Sequence, residues 1–302
     1  MVESINVIIC AIPGVKLGDV IKNFKQLIEK DSHFKVTTSD IEDHLKKHPE
    51  IKNKFRSHSE FDFEIKFPTM KEITWEVPRT ALRNFWNEST DFAIKELNDE
   101  QSEITYDYHI KILTCHLVYY DPNRRSHYSL IDIKRLENFK AKRFICLIDD
   151  IYDIYNKLRS STNDLFYPHL GKERDDLKKK FKKERKDYLK INKSEYDYLL
   201  SIQIIKLKID NLLSILEWRL MESTIGENLA YQLDITDFNI ISVKQSKLLL
   251  LKWILFGNRH TIYLSHAISR HRRSNHFQNW FKSHVTGIIE TENLERFENE
   301  DL

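Results

Sequence analysis

The segment that most constrains the fold of this chain is 5–19, INVIICAIPGVKLGD. Its first half is an apolar, β-branched run, which is the composition of a buried strand. A Pro-Gly turn follows, and an amphipathic helical pattern begins near Leu17. Strand, tight turn and helix is a layout in which backbone N–H groups and a helix N-terminus face an anion. The segment predicts an anion-binding loop, formed by Pro13, Gly14, Val15, Lys16 and Gly18; a turn that binds nothing is the alternative.

Apolar strand-like runs alternate with helical patterns along the rest of the chain. Strands are predicted at 5–11, 34–37, 109–120, 143–148, 238–243 and 260–264, with an edge strand at 61–67. Helices are predicted at 17–30, 41–48, 79–98 and 245–256, and over 270–298, with Ser39-Asp40 capping the helix 41–48. This order predicts a helix-rich α/β protein with a mostly parallel sheet of five or six strands between two helical layers. The 302 residues contain only 6 Gly and 6 Pro, so we expect one domain over 1–302 with a charged helical insertion at about 160–222.

Charge and cysteine usage narrow the function classes. A formal net charge of +2 gives no general argument for nucleic acid or a membrane surface, and no apolar run has the length of a membrane span. The three cysteines lie inside apolar runs, which predicts buried, reduced thiols and a cytoplasmic protein. Residues 172–193 hold eleven basic and five acidic residues, a net charge of +6. They are typical of a solvated helical arm, with nucleic-acid binding as the alternative. Few aromatic residues lie among them, which argues against stacking on single-stranded nucleic acid.

Ligands of parallel sheets bind at the carboxyl ends of the strands, so the residues just past each strand are candidates for a site. Asp149 and Asp150 follow the strand 143–148, where Asp149 would hold a metal through water or cap the next helix. Candidate substrate-binding residues past other strands are Asp40, His116, Arg125, Ser265, His266 and Arg272. Arg124 and Arg270 are candidates for neutralising charge during catalysis. A core histidine and solvated arginines are the alternatives at these positions.

The pattern resembles the P-loop kinase branch of nucleoside and nucleotide kinases. VIICAIPG at 7–14, Asp40, TCHLVYY at 114–120 and FICLIDDIYD at 144–153 carry the resemblance over roughly residues 1–265. The family's loop is GxxxxGK[ST]. Here Ala11, Lys16, Leu17 and Gly18 stand at the first Gly, the second Gly, the Lys and the hydroxyl residue. The resemblance implies ATP or another nucleotide with Mg²⁺, the metal being held by Asp149, and a mobile basic lid over the phosphates.

Three functions are therefore expected from the sequence. The first is nucleotide binding of kinase type, with phosphoryl transfer or hydrolysis in doubt because of the altered loop. The second is a non-catalytic scaffold that binds a partner protein through 172–193 or the C-terminal helix. The third is a nucleoside-processing enzyme with a site at Ser265–Arg270, since IYLSHAIS at 262–269 is similar to a segment of nucleoside deoxyribosyltransferase-like folds.

Overall fold

A computed structural model describes residues 3–56, 70, 73, 76–100, 106–121, 126–160, 179, 183 and 193–257. The chain divides into two compact units, Met1–Asn258 and Arg259–Leu302, and the described residues belong to the first. That all 302 residues form a single domain stays a prediction.

In the described part of the chain, helices connect the successive strands of the main sheet. The strands are β1 (Glu3–Ala11), β2 (Phe34–Asp40), β3 (Tyr108–Cys115), β4 (Tyr119–Asp121), β5 (Ser126–Tyr128), β6 (Arg143–Ile148) and β7 (Phe238–Ser242). The helices are α1 (Leu17–Ile28), α2 (Ile41–Lys47), α3 (Pro49–Arg56), α4 (Arg79–Asp99), α5 (Ile133–Leu136), α6 (Ile151–Ser160), α7 (Lys193–Gln232) and α8 (Lys247–Phe256), with a 3₁₀ turn at Glu137–Phe139.

Five strands form one sheet in the order β2-β3-β1-β6-β7, and every pair in it is parallel. β1 lies in the middle, and its residues from Val7 to Ala11 are buried on both faces, as expected for a strand covered by helices on each side. The predicted fold class, a parallel α/β sheet flanked by helices, is confirmed. The predicted strands at 61–67 and 260–264 lie outside the described residues.

Local sequence signals explain the elements beside β1. Leu17, Ile21, Phe24 and Ile28 recur at spacings of three and four and form the buried face of α1. The Asp40 side chain accepts a hydrogen bond from the backbone N–H of Asp43 at 3.0 Å and so caps α2. The predicted cap is confirmed.

The three described cysteines are buried and free. Cys10 stands opposite Cys115 on one side of the sheet's central strand and opposite Cys146 on the other. Burial raises the pKa of the Cys10 and Cys115 thiols well above the ordinary value, which leaves both as inert thiols of the core. None of the described helices has both the length and the apolar character needed to cross a membrane.

The third predicted strand, 109–120, is shorter in the structure than in the prediction. β3 ends at Cys115, and Tyr119–Asp121 pairs instead with Ser126–Tyr128 in a separate antiparallel hairpin. The segment between them makes its backbone hydrogen bonds with α7, because Glu222 accepts from the N–H groups of Leu117 and Val118. Those groups are therefore unavailable to a continuing strand.

Candidate functional site: the crevice at the carboxyl ends of β1 and β6

The loop between β1 and α1 contains two residues with left-handed backbone. Gly14 has φ 91° and Lys16 has φ 54°, and the N–H of Val15 donates to the carbonyl of Ile12 at 3.3 Å. Lys16 is the N-cap of α1, and its side chain forms no cap hydrogen bond. The first N–H groups of α1 therefore have no side-chain acceptor at the cap position. Left-handed residues in a turn before a helix are the backbone geometry of an anion-binding nest.

Most of this loop is packed against the protein. Pro13, Gly14 and Val15 are buried, and only Lys16 and Gly18 of the predicted loop residues are exposed. A Cβ at Gly14 would lie 3.1 Å from Ile154 Cγ2 and 3.3 Å from Leu158 Cγ, so α6 packs directly on the turn. The open part of the loop is thus the Lys16–Gly18 end.

Leu17 stands where the P-loop pattern has its lysine, and it belongs to the core. It is 5% exposed and lies on the buried face of α1. Lys16, one residue earlier, is the basic side chain that the loop presents to solvent. The lysine of the pattern is therefore displaced in space as well as in sequence.

Asp149 follows β6 and is tied to a lysine. Its Oδ2 accepts a hydrogen bond from Lys157 Nζ at 2.7 Å, and the Nζ of Lys244 lies 3.9 Å from its Oδ1. The same Oδ1 accepts from the N–H of Asp150 at 2.9 Å. Asp150, in turn, accepts from the N–H of Tyr152 at 2.8 Å. The side chain of Asp150 therefore caps α6, and the buried carboxylate of Asp149 forms an ion pair with Lys157.

Basic side chains from three elements converge on Asp149. Lys157 comes from α6, Lys244 follows β7, and Arg219 of α7 donates to the Asp149 carbonyl at 3.4 Å. Lys244 also contacts Asp153 Oδ2 at 2.5 Å. That hydrogen bond raises the pKa of Lys244 and lowers the pKa of Asp153. Sequence reasoning missed these three cations, and for Arg219 and Lys244 nothing in the local pattern relates helix α7 or the end of β7 to β6.

The carboxyl ends of β2 and β3 carry a second group of polar side chains. Asp40 Oδ2 accepts a hydrogen bond from the hydroxyl of Thr114 at 2.6 Å. The hydroxyl of Tyr119 donates to Glu42 Oε1 at 2.6 Å. Burial, followed by the charge of Glu42, raises the pKa of Asp40. The pKa of the Tyr119 hydroxyl is raised well above its usual range by burial and by the same carboxylate.

His116 connects this group to the end of β1. Its Nδ1 is hydrogen-bonded to the carbonyl of Ala11, and its Nε2 lies 3.9 Å from Glu42 Oε1. The structure therefore brings the predicted residues Asp40 and His116 to one edge of the sheet, as expected for residues at the ends of parallel strands. Each of them has a hydrogen-bond partner inside the protein.

Glu222 holds the segment after β3 from the side of α7. Its two carboxylate oxygens accept from Leu117 N–H at 2.8 Å and Val118 N–H at 2.9 Å, and Trp218 Nε1 donates to the Val118 carbonyl at 2.9 Å. Glu222 is fully buried, and this burial raises the pKa of its carboxyl well above the ordinary value, although the two backbone donors act in the opposite direction. The sequence does contain a signal for it. An acid stands on the apolar stripe that is formed by Ile215, Trp218, Ile225 and Leu229.

Several predicted site residues lie outside the described residues. They are Arg124, Arg125, Ser265, His266, Arg270 and Arg272. The predicted C-terminal helix also lies outside the described residues. So does the 172–193 run, except for positions 179, 183 and 193, which are helical. Their predicted roles stay predictions.

The residues present do not fit a magnesium ion of the P-loop type. Position 18 is a glycine, so no hydroxyl stands at the metal position of the loop, and the Asp149 carboxylate already binds the Lys157 ammonium. Across the part of the chain that the structure describes, no group of three or more His, Cys, Asp or Glu side chains is arranged to hold a metal.

No protein-family model matches this chain, and no curated protein matches it. Among solved structures it is similar to shikimate kinase from Bacteroides thetaiotaomicron, at 13% identity and a TM-score of 0.28, over 76% of this chain and 99% of that chain. This TM-score is too low to support any inference about the fold or function of this chain. The fold class therefore rests on the strand order and the parallel pairing of the chain itself.

Proposed function

We propose that this protein binds a nucleotide through its phosphate groups, in the crevice between the carboxyl ends of β1 and β6. The two strands are neighbours, and their connections run to opposite sides of the sheet, from β1 to β2 and from β6 to β7. Such a switch point is where open α/β sheets bind ligands. The observation that carries the proposal is the β1–α1 loop at this point, with its left-handed Gly14 and Lys16 before an uncapped helix N-terminus.

The charges at the crevice favour an anionic ligand. Lys16 is exposed at the start of α1, and Arg219 reaches the crevice from α7. Among the described residues, neither cation forms an ion pair with a carboxylate. A phosphate group would give both cations an anionic partner. The N-terminus of the helix adds about half a positive charge to theirs. Lys16 and the N–H groups beside it would hold the phosphate, and Arg219 would neutralise charge across the crevice.

Phosphoryl transfer is a further step that rests on the resemblance alone. The roles proposed for Arg124 and Arg270 concern residues outside the described ones. Asp149, the predicted metal-bearing residue, acts in this proposal as the anchor of Lys157. Binding is therefore proposed here without turnover.

Calorimetric titration with ATP and with AMP tests the proposal, comparing the natural protein with Lys16→Gly. Glycine adopts the left-handed backbone of position 16 without strain, so this variant removes the charge and is not expected to unfold the loop. We expect ATP affinity to fall about tenfold or more, the loss of one charge-assisted contact. Lys22→Ala, an exposed lysine on the same helix, is the matched control. No binding at millimolar ligand, or equal affinity in Lys16→Gly, would remove the proposal.

A partner-binding scaffold is the second candidate, and the outer half of α7 favours it. Four large apolar side chains there are exposed at helical spacing: Tyr198, Ile202, Ile205 and Ile209. Exposed apolar groups on one helix mark interaction surfaces. The double variant Ile205→Lys/Ile209→Lys tests this function. A stoichiometric partner that co-purifies with the natural protein should be lost, while ATP affinity should not change; retention of that partner excludes this surface.

A further inference from the structure

The ion pair between Asp149 and Lys157 lies where a P-loop protein would hold its metal. The Asp149 side chain is 3% exposed, and its two oxygens face Lys157 at 2.7 Å, Lys244 at 3.9 Å and the N–H of Asp150 at 2.9 Å. The carboxylate therefore has a cation at hydrogen-bond distance and a second cation nearby. Its negative charge is already compensated inside the protein.

A divalent cation would have to displace this arrangement. Mg²⁺ requires close to octahedral coordination by oxygen atoms at about 2.0–2.1 Å, and the loop 12–18 contains neither Ser nor Thr. Taking Asp149 from Lys157 would leave an ammonium beside the metal, with Lys244 also close by. Taking the Lys157 ammonium from the buried Asp149 carboxylate is costly, because the carboxylate loses the partner that offsets its desolvation.

We infer that the crevice binds its phosphate-bearing ligand without a divalent cation, an inference that rests on the proposed function. The reason is that the Lys157 ammonium occupies the place of the metal on Asp149. The ligand's charge is met by Lys16 and Arg219. The protein is thus a receptor for the free nucleotide anion, and its site discriminates against the magnesium-bound form of a triphosphate.

Titration of the natural protein in excess EDTA and in excess MgCl₂ tests the inference. ATP is the first probe, and AMP is the second, because AMP binds Mg²⁺ weakly in solution. We expect AMP to bind with the same Kd in both buffers within about threefold, and ATP to bind more tightly in EDTA than in MgCl₂. Equal or weaker ATP binding in EDTA, or AMP binding about tenfold weaker there, would overturn the inference and leave the proposed function standing. Absence of binding in both buffers would remove the two together.

Lys157→Met gives a second, independent measurement. Methionine keeps most of the apolar stem but removes the ammonium from Asp149 Oδ2, so we expect nucleotide binding to become stronger on adding Mg²⁺ by about tenfold. Lys95→Met, an exposed lysine of α4, is the control that should behave as the natural protein. A folded Lys157→Met protein that stays indifferent to Mg²⁺ contradicts the inference. If that variant does not fold, Asp149→Asn/Lys157→Met removes both charges together and should bind AMP equally in the two buffers; dependence on Mg²⁺ there would count against the inference.

Discussion

Replacing Glu222 by alanine should be among the most destabilising single changes in this protein. The side chain is the acceptor for the backbone N–H groups of Leu117 and Val118, at 2.8 and 2.9 Å, and all three residues are fully buried. Leaving a buried donor without an acceptor costs about 1–3 kcal/mol. Two such donors give a loss of roughly 2–6 kcal/mol, a large share of the roughly 5–15 kcal/mol that stabilises a typical domain.

The loss can be measured by urea unfolding, followed by tryptophan fluorescence because Trp218 packs in the same place. Glu222→Gln keeps one oxygen acceptor, so its loss of unfolding free energy should be about half that of Glu222→Ala. Glu227→Ala, an exposed acid on the same helix, should change stability by less than about 0.5 kcal/mol. A loss for Glu222→Ala as small as that of this control would refute the reasoning, since it would mean that the two N–H groups do not depend on the carboxylate.

Two further predictions follow from the same geometry. Gly14→Ala should destabilise the protein by roughly 1–3 kcal/mol in urea unfolding, because the backbone is left-handed and the new methyl meets α6 at 3.1 Å. Gly18→Ala, which has open space around the new methyl, should be neutral or stabilising; equal effects at the two positions would contradict this. Burial raises the pKa of the Glu222 carboxyl, so the folded state binds more protons than the unfolded state above about pH 4.3. The unfolding free energy of the natural protein should therefore fall, relative to Glu222→Gln, as the pH rises from that value towards the raised pKa, and parallel pH profiles for the two proteins would show that the carboxyl does not titrate in this way.

The sequence was sufficient for those parts of the fold that local patterns determine. The buried run of β1, the amphipathic spacing of α1 and the cap at Asp40 are all written in residues close to one another. The strand β6 was predicted with its observed bounds, Arg143–Ile148. Alternation of these elements was enough to predict a parallel sheet, because few other arrangements cover both faces of such strands.

Contacts between distant residues could not be predicted in this way. Arg219 of α7 donates to the carbonyl of Asp149 across 70 positions of sequence, and nothing within a helix states which strand it packs on. The end of β3 was misplaced for the same reason. Leu117 and Val118 continue an apolar strand pattern. Their N–H groups nevertheless donate to Glu222, which lies more than 100 positions later in the sequence.

Helix α7 has two different surroundings along one axis. None of residues 198–210 whose side chains are described is buried, whereas the helix beyond Asn211 packs on the sheet. At 1.5 Å per residue these residues span about 20 Å of helix, and Lys208 among them lies over the rings of Tyr152 and Tyr155 of α6. Helix α7 is continuous from its exposed outer turns to its packed inner part. The inner part holds the backbone beside His116 through Trp218 and Glu222. A partner bound to the outer turns of α7 would therefore be linked by one continuous helix to the segment beside His116.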